Sequence, residues 1–174
     1  MRTFSGFISI DCGSSGSYED LTTGISYLPD EDFTEAGENW DITDFKWLAD
    51  KQELTLRSFP EGTRNCYTLR PEQGKGYRYL IRARFMYGNY DNKVQAPTFD
   101  LYLGANHWAT VKPWNSWIQL NVEIIHIPRS DHIYVCLVNT GNGIPFISSL
   151  ELRLIRNENI FKRSWNIAKP LWPL

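Results

Sequence analysis

From Tyr77 to Phe85 the sequence alternates: Tyr77, Tyr79, Ile81, Ala83 and Phe85 fall on one side, Arg78, Arg82 and Arg84 on the other. A period of two is the signature of a strand with one face buried and one face wet. Such a strand needs a sheet around it and a second layer over its apolar face. The same demand recurs along the chain. Ile8, Ile10 and Cys12 alternate, as do Leu54, Leu56 and Ser58, Phe99, Leu101 and Leu103, and Ile118, Leu120, Val122 and Ile124. Phe146, Leu150, Leu152 and Leu154 close the series. Ile133 to Val138 is apolar throughout, which predicts a central strand covered on both faces, with Cys136 as plain core. Turn clusters separate the runs, among them Phe59-Pro-Glu-Gly62, Gln73-Gly-Lys-Gly76 and Asn139-Thr-Gly-Asn-Gly143. No βαβ rhythm and no internal repeat is visible. The expected fold class is all-β, an antiparallel β-sandwich or jelly roll.

Two stretches are less regular. Residues 18 to 50 mix acids, aromatics and breakers, and read as a long structured loop with one short helix. Residues 156–174 have no clear period and carry two closely spaced prolines, which predicts an irregular C-terminal tail after an ordered body over 1–155. The 174 residues suit a single domain, and 42% hydrophobic with 14% aromatic content supplies a large core. A net charge of -2 argues against a nucleic-acid or anionic-membrane partner. Asp30, Glu31, Asp32, Glu35, Glu38, Asp41 and Asp44 form an acidic segment that reads as an exposed loop. There is no run of about 18 apolar residues that would span a membrane. Met1 to Ile10 lacks the apolar stretch of a secretory signal, so the chain read literally enters the cytosol. Cys12, Cys66 and Cys136 allow one disulfide plus a free thiol, or three buried thiols.

Catalytic and metal signatures are missing. Gly141-Asn-Gly143-Ile-Pro begins like a dinucleotide loop but places Pro145 where a helix should open. Gly13-Ser-Ser-Gly16 is not a nucleophile elbow, and Gly74-Lys-Gly76 lacks phosphate-loop spacing. His107, His126 and His132 are scattered without ligand spacing. No acid–base pair, nucleophile, metal or cofactor is indicated. The positive signal is aromatic: seven Trp and nine Tyr. Tyr87 and Tyr90 flank Gly88-Asn89 and precede Asp91, in what reads as an exposed loop. A sugar is held by an aromatic ring under its C–H face and by Asp, Asn or Arg at its hydroxyls, so Tyr87, Tyr90 and Asp91 are candidate ligand contacts. Trp108 and Trp117 are expected in core or interface packing.

Six blocks in order carry a family resemblance. They are Gly6-Phe-Ile-Ser-Ile-Asp-Cys-Gly13, Gly24-Ile-Ser-Tyr-Leu-Pro-Asp30, Leu56-Arg-Ser-Phe-Pro-Glu-Gly-Thr-Arg-Asn-Cys-Tyr67, Tyr79 to Asp91, Pro97-Thr-Phe-Asp-Leu-Tyr-Leu-Gly104, and Val135-Cys-Leu-Val-Asn-Thr-Gly141 with Pro145-Phe-Ile-Ser148. Together they closely resemble the malectin-like domain of plant leucine-rich-repeat receptor-like kinases, from about Gly6 to Arg153. The resemblance implies a galactose-binding-like β-sandwich forming one lobe, on the extracellular face of the plasma membrane. It implies a carbohydrate or a secreted peptide as partner, with a second malectin-like lobe or a co-receptor alongside. The loop Tyr87 to Asp91 falls near the aromatic pair of the animal lectin, and Tyr27 lies in a segment expected to face the same rim. The match ends near Arg153, so residues 156–174 are expected to be read-through of a truncated receptor gene.

Overall fold

The computed structural model describes residues 6–156. Along them run β1 (Phe7–Asp11), β2 (Tyr18–Asp20), β3 (Ile25–Pro29), β4 (Glu38–Asp41), β5 (Thr55–Ser58), β6 (Arg64–Leu69), β7 (Tyr79–Met86), β8 (Thr98–Leu103), β9 (Asn106–Val111), β10 (Gln119–His126), β11 (Ile133–Asn142), β12 (Phe146–Ile147) and β13 (Ser149–Leu154). They form a six-stranded sheet in the order β10-β7-β13-β1-β3-β2, a four-stranded sheet β6-β11-β8-β9 and a three-stranded sheet β12-β5-β4. Pairing is antiparallel except between β1 and β3. This is the β-sandwich that the alternating pattern demands.

The pattern also fixes which side faces in. On β7, Tyr79, Ile81, Ala83 and Phe85 are fully buried, while Arg82 and Arg84 lie on the outer face beside Glu151 of β13. Leu150 and Leu152 of β13 join the inner layer. Phe99 and Leu101 of β8, Val135 and Leu137 of β11, and Tyr67 and Leu69 of β6 face them from the four-stranded sheet. Phe146 sits where the sheets converge, with ring centroids 6.1 Å from Phe85 and 5.8 Å from Phe99. Each such buried side chain contributes roughly 1.5–3 kcal/mol. Tyr77, expected on the inner face, stands outside the strand and is exposed.

Three expectations are corrected. Residues 18 to 50 are not a long loop: they supply β2, β3 and β4, and the one helical turn, a 3-10 turn over Lys51–Glu53, comes just after them. The acids of this segment are exposed except Asp30, which is fully buried. Its carboxylate accepts from Arg57 Nε (2.6 Å) and Nη2 (2.8 Å), from the Tyr67 hydroxyl (2.8 Å) and from Gly13 N–H (3.2 Å). Finally, β11 is central, but its outer face is partly open and Tyr134 is 46% exposed. Cys136 is buried on the same side of β11 as Tyr134 and, rather than being plain core, forms a disulfide with Cys66, its direct partner on β6, across a Cα–Cα distance of 4.0 Å. Cys12 is the free thiol, and it is buried.

The disulfide closes a loop of 70 residues, so replacing both Cys66 and Cys136 by Ser is expected to cost about 2–5 kcal/mol in urea denaturation. Alkylation in denaturant without reductant should label Cys12 and leave the other two unmodified. A second expectation concerns Asp11, whose oxygens accept from Tyr18 (2.7 Å) and Thr55 (2.9 Å). Burial, opposed by those two hydrogen bonds, lifts its carboxyl from 3.8 to about 6. The folded chain therefore keeps a proton there that the unfolded chain releases near pH 4. The stability from that proton is complete below pH 4 and lost as pH rises to about 6, by up to roughly 3 kcal/mol. Urea midpoints taken from pH 4 to 7 should fall in the native chain and fall less in Asp11→Asn.

Candidate functional site

The loop that leaves β7 does not present its rings to solvent. Tyr87 is fully buried and Tyr90 is 3% exposed, which corrects the expectation of an open aromatic pair. Phe146 is the cause. Its ring lies 5.9 Å from both tyrosines, which meet edge to face at 5.5 Å. Tyr87 keeps the inward parity of Phe85, and the tight turn Tyr87–Tyr90, closed by Tyr90 N–H on Tyr87 O, brings the second ring back onto the first. Trp40 of β4, in the acidic segment, packs against Tyr90 at 5.7 Å. The Tyr87 hydroxyl donates to Asp91, and burial together with that bond holds the phenol well above its ordinary pKa. Asp91 also accepts from Lys93 N–H (3.3 Å) and lies 3.4 Å from Lys93 Nζ.

With the rings turned into the core, the buried Gly88 becomes a junction between backbone segments. Its N–H donates to Ser116 O (2.8 Å), and its carbonyl accepts from Thr43 N and Asp44 N, both at 3.0 Å. Asn89 extends the junction. Its side chain donates to Asp44 Oδ2 (2.8 Å) and accepts from Val94 N–H (2.9 Å). Ser116 Oγ donates to Val94 O (3.2 Å), and Gln119 Nε2 donates to both Leu48 O and Glu53 Oε2 at 2.7 Å. Three segments are thereby fastened together: 43–48, 88–94 and 114–119.

What these segments expose is the aromatic surface that the tyrosines do not. Trp47 is 79% exposed, Trp114 72% and Trp117 48%, with Leu48 next to Trp47 and Val94 exposed on the segment 88–94. Trp47 leans on Phe45 at 5.7 Å. Trp108 packs partly buried against the core, one of the two placements expected of it, whereas Trp117 is not packed in the core. Phe45 and Val94 have left-handed backbones, φ 62 and 64, which are costly for bulky or β-branched residues. Tyr27 is elsewhere. It is buried, stacks on Tyr18 at 5.6 Å and donates to Glu151 Oε1 at 2.6 Å, on the outer face of the six-stranded sheet. The structure thus brings Tyr87, Tyr90 and Asp91 together and leaves Tyr27 apart. The exposed indoles at Trp47 and Trp114 had one sequence signal: each sits in a run without the period-two pattern that buries a ring.

Among the described residues no three His, Cys, Asp or Glu side chains converge as metal ligands do, and no helix is long and apolar enough to cross a membrane. The described residues thus form a β-sandwich whose loops at one end carry exposed indoles. The family pattern of the malectin-like domain matches residues 10–168, and the chain belongs to that family. A probable leucine-rich-repeat receptor-like serine/threonine-protein kinase of Arabidopsis thaliana is 50% identical over 94% of this chain and 20% of its own length. A putative leucine-rich-repeat receptor-like protein kinase of the same plant is 53% identical over the same shares. The chain thus spans about a fifth of the length of the curated relatives it matches. Among solved structures, the ANX2 ectodomain of Arabidopsis thaliana superposes with a TM-score of 0.71 at 14% identity, covering 86% of this chain and 42% of that one. A β-glucuronidase of Bacteroides uniformis superposes with a TM-score of 0.68 at 15% identity, covering 86% of this chain and 18% of that one. These two likenesses show the fold alone. The expected tail, 156–174, lies outside the described residues but for residue 156, and the family match runs on to residue 168.

Gly88 has φ +51, and a Cβ there would stand 2.4 Å from Ile42 Cβ. Ile42 is fully buried and has nowhere to retreat. Gly88→Ala is therefore expected to cost about 2–4 kcal/mol, from the left-handed backbone and the overlap together. Gly76→Ala is the control: φ is +84 there, but a Cβ meets nothing within 4 Å. Urea denaturation of the two variants should separate the overlap from the backbone cost.

Proposed function

We propose that this chain is a non-catalytic recognition module that binds carbohydrate of the cell-wall glycan kind at the rim built by 43–48, 88–94 and 114–119. The observation that carries the reading is the exposure of Trp47, Trp114 and Trp117 on segments fastened through Gly88. Three exposed indoles on segments tied together offer flat apolar faces that suit the C–H face of a sugar ring. Asp91 and Asn89 supply the hydrogen-bonding edge, with Tyr87 and Tyr90 beneath them as the support that sets their position. Kinship with receptor kinases supports placement on the extracellular face of the plasma membrane, and the Cys66–Cys136 disulfide fits an oxidising compartment.

One observation favours a second reading. Val94, 74% exposed, and Leu48 give the rim an aliphatic component that a sugar does not use. A secreted peptide or a protein partner would bury it, with no sugar pocket needed.

A panel of neutral glycans, titrated against the chain, tests the first reading. Trp47→Ala and Trp114→Ala should each weaken binding by about tenfold or more while the urea midpoint stays put. Tyr87→Phe, which keeps the ring and removes the hydroxyl held by Asp91, should weaken it less. Silence across the panel with binding of a secreted peptide would move the function to the second reading. Turnover of a bound glycan would end the non-catalytic one.

A further inference from the structure

The six-stranded sheet ends on one side in β10, and that edge is open. β10 pairs with β7 over all eight residues, Gln119 to His126, without a bulge. Its other edge meets no strand, and no backbone hydrogen bond reaches it among the described residues. In an antiparallel ladder alternate residues turn both N–H and C=O to the same side, so about four residues of β10 present unpaired groups there. The other sheet edges are protected. β2 has three residues, β4 four and β12 two. β9 is bulged against β8, and Thr68 N–H of β6 is taken by Phe33 O (2.9 Å).

β10 has none of the devices that keep an edge from pairing. Gln119-Leu-Asn-Val-Glu-Ile-Ile-His126 contains no proline and no lysine. Its one acid, Glu123, is already paired with Arg82 of β7. Ile125 is 62% exposed on the outer face, where a defended edge would carry a charge. On the inner face Leu120, Val122 and Ile124 pack against the core but are only partly buried. A strand laid alongside would complete their burial.

Order and sequence decide which strand fits. A free peptide must give up backbone entropy to become a strand, whereas β10 of a second copy is already extended. A two-fold axis at Val122 lays β10 antiparallel to itself, and directly opposite residues then share a face. Leu120 faces Ile124 of the other copy and Val122 faces Val122, apolar against apolar. Asn121 faces Glu123, amide against carboxylate, and Gln119 faces Ile125. No like charges meet.

We infer that β10 is the interface of a two-fold homodimer, in which two copies of this chain join their six-stranded sheets into one continuous sheet. Such an interface is isologous and closes at two copies. Trp117 lies two residues before β10, so the two rims stand at opposite ends of the seam. The dimer is therefore bivalent, whatever the rim binds.

Sedimentation equilibrium of the full chain from about 1 to 300 µM tests this. The mass should rise from 20.3 kDa to twice that value. Ile125→Lys puts a charge at the seam and should weaken the dimer by about tenfold or more. Asn121→Glu sets two carboxylates opposite each other and should do the same, while Asn121→Gln should not. Leu21→Lys, on a residue 94% exposed beyond the opposite edge of the sheet, should change nothing. Urea midpoints taken where the chain is monomeric should stay at the native value for each variant. Hydrogen exchange should slow at alternate amides of β10, and not in β2, as concentration rises. A chain that stays monomeric throughout overturns the inference. So does a dimer that ignores Ile125→Lys and Asn121→Glu, or one that leaves the β10 amides unprotected, since its interface lies elsewhere. An added peptide of unrelated sequence that protects those amides while the mass stays at one copy would overturn the choice of a second copy.

Discussion

The loops at the end of the sandwich that carries Tyr87 and Tyr90 depend on how Phe146 packs. It packs against Tyr87 and Tyr90, so the loop after β7 keeps its rings in the core. The backbone buried with them has donors and acceptors to satisfy. Gly88 satisfies them by bridging to Thr43, Asp44 and Ser116, so two further segments are held against the loop. The indoles on those segments then have fixed neighbours. A ring lost from the core at Tyr87 would free the loop, and the rim would lose its frame before it lost any ligand contact.

A second constraint holds the other side. Asp30 is fully buried, and a carboxylate there is costly unless it is paired and hydrogen-bonded. Arg57 from β5, Tyr67 from β6 and the Gly13 amide converge on it, so one carboxylate joins three distant parts of the sequence. Replacing Asp30 or Arg57 alone would leave the other of the pair without its counter-charge. On the outer face of the six-stranded sheet, Glu151 is placed in the same way among Arg82, Arg84, Arg153 and Tyr27. The charges that look like surface decoration in β7 thus organise the sheet from outside, while Ile81, Ala83 and Phe85 organise it from within.

Those facts explain what the sequence disclosed. Alternation identified β7, β8, β10 and β13 and their inner faces, because burial on one side of a pleat leaves a period of two. It misjudged Ile133 to Val138, since a disulfide face looks as apolar as a core face when Cys136 is read alone. Its partner Cys66 lies 70 residues away, a separation that no local pattern reveals. The segment 18–50 was misread because short strands such as Tyr18–Asp20 and Glu38–Asp41 give too few alternations to count. At the site, the loop Tyr87 to Asp91 was legible as special from its Gly-Asn turn between aromatics. Which way its rings pointed was not, because that is decided by Phe146, more than fifty residues on in the chain.

The rim carries a cost that the core does not require. Phe45 and Val94 are in the left-handed region, where each costs on the order of 1–3 kcal/mol, and glycine would remove that cost. Both lie on segments tied to Gly88, and Val94 is mostly exposed, so its side chain gains little from packing. Strain kept in an exposed side chain is hard to explain by stability. It is easier to explain if the aliphatic surface at Val94 is used. The raised carboxyl groups behave differently: Asp11 is committed to Tyr18 and Thr55, and Glu53 to Asp50 N–H and Gln119. Their perturbation comes first from burial, and their hydrogen bonds serve the frame rather than a substrate. Strain thus sits on the exposed loops, while the buried acids and their hydrogen bonds belong to the scaffold.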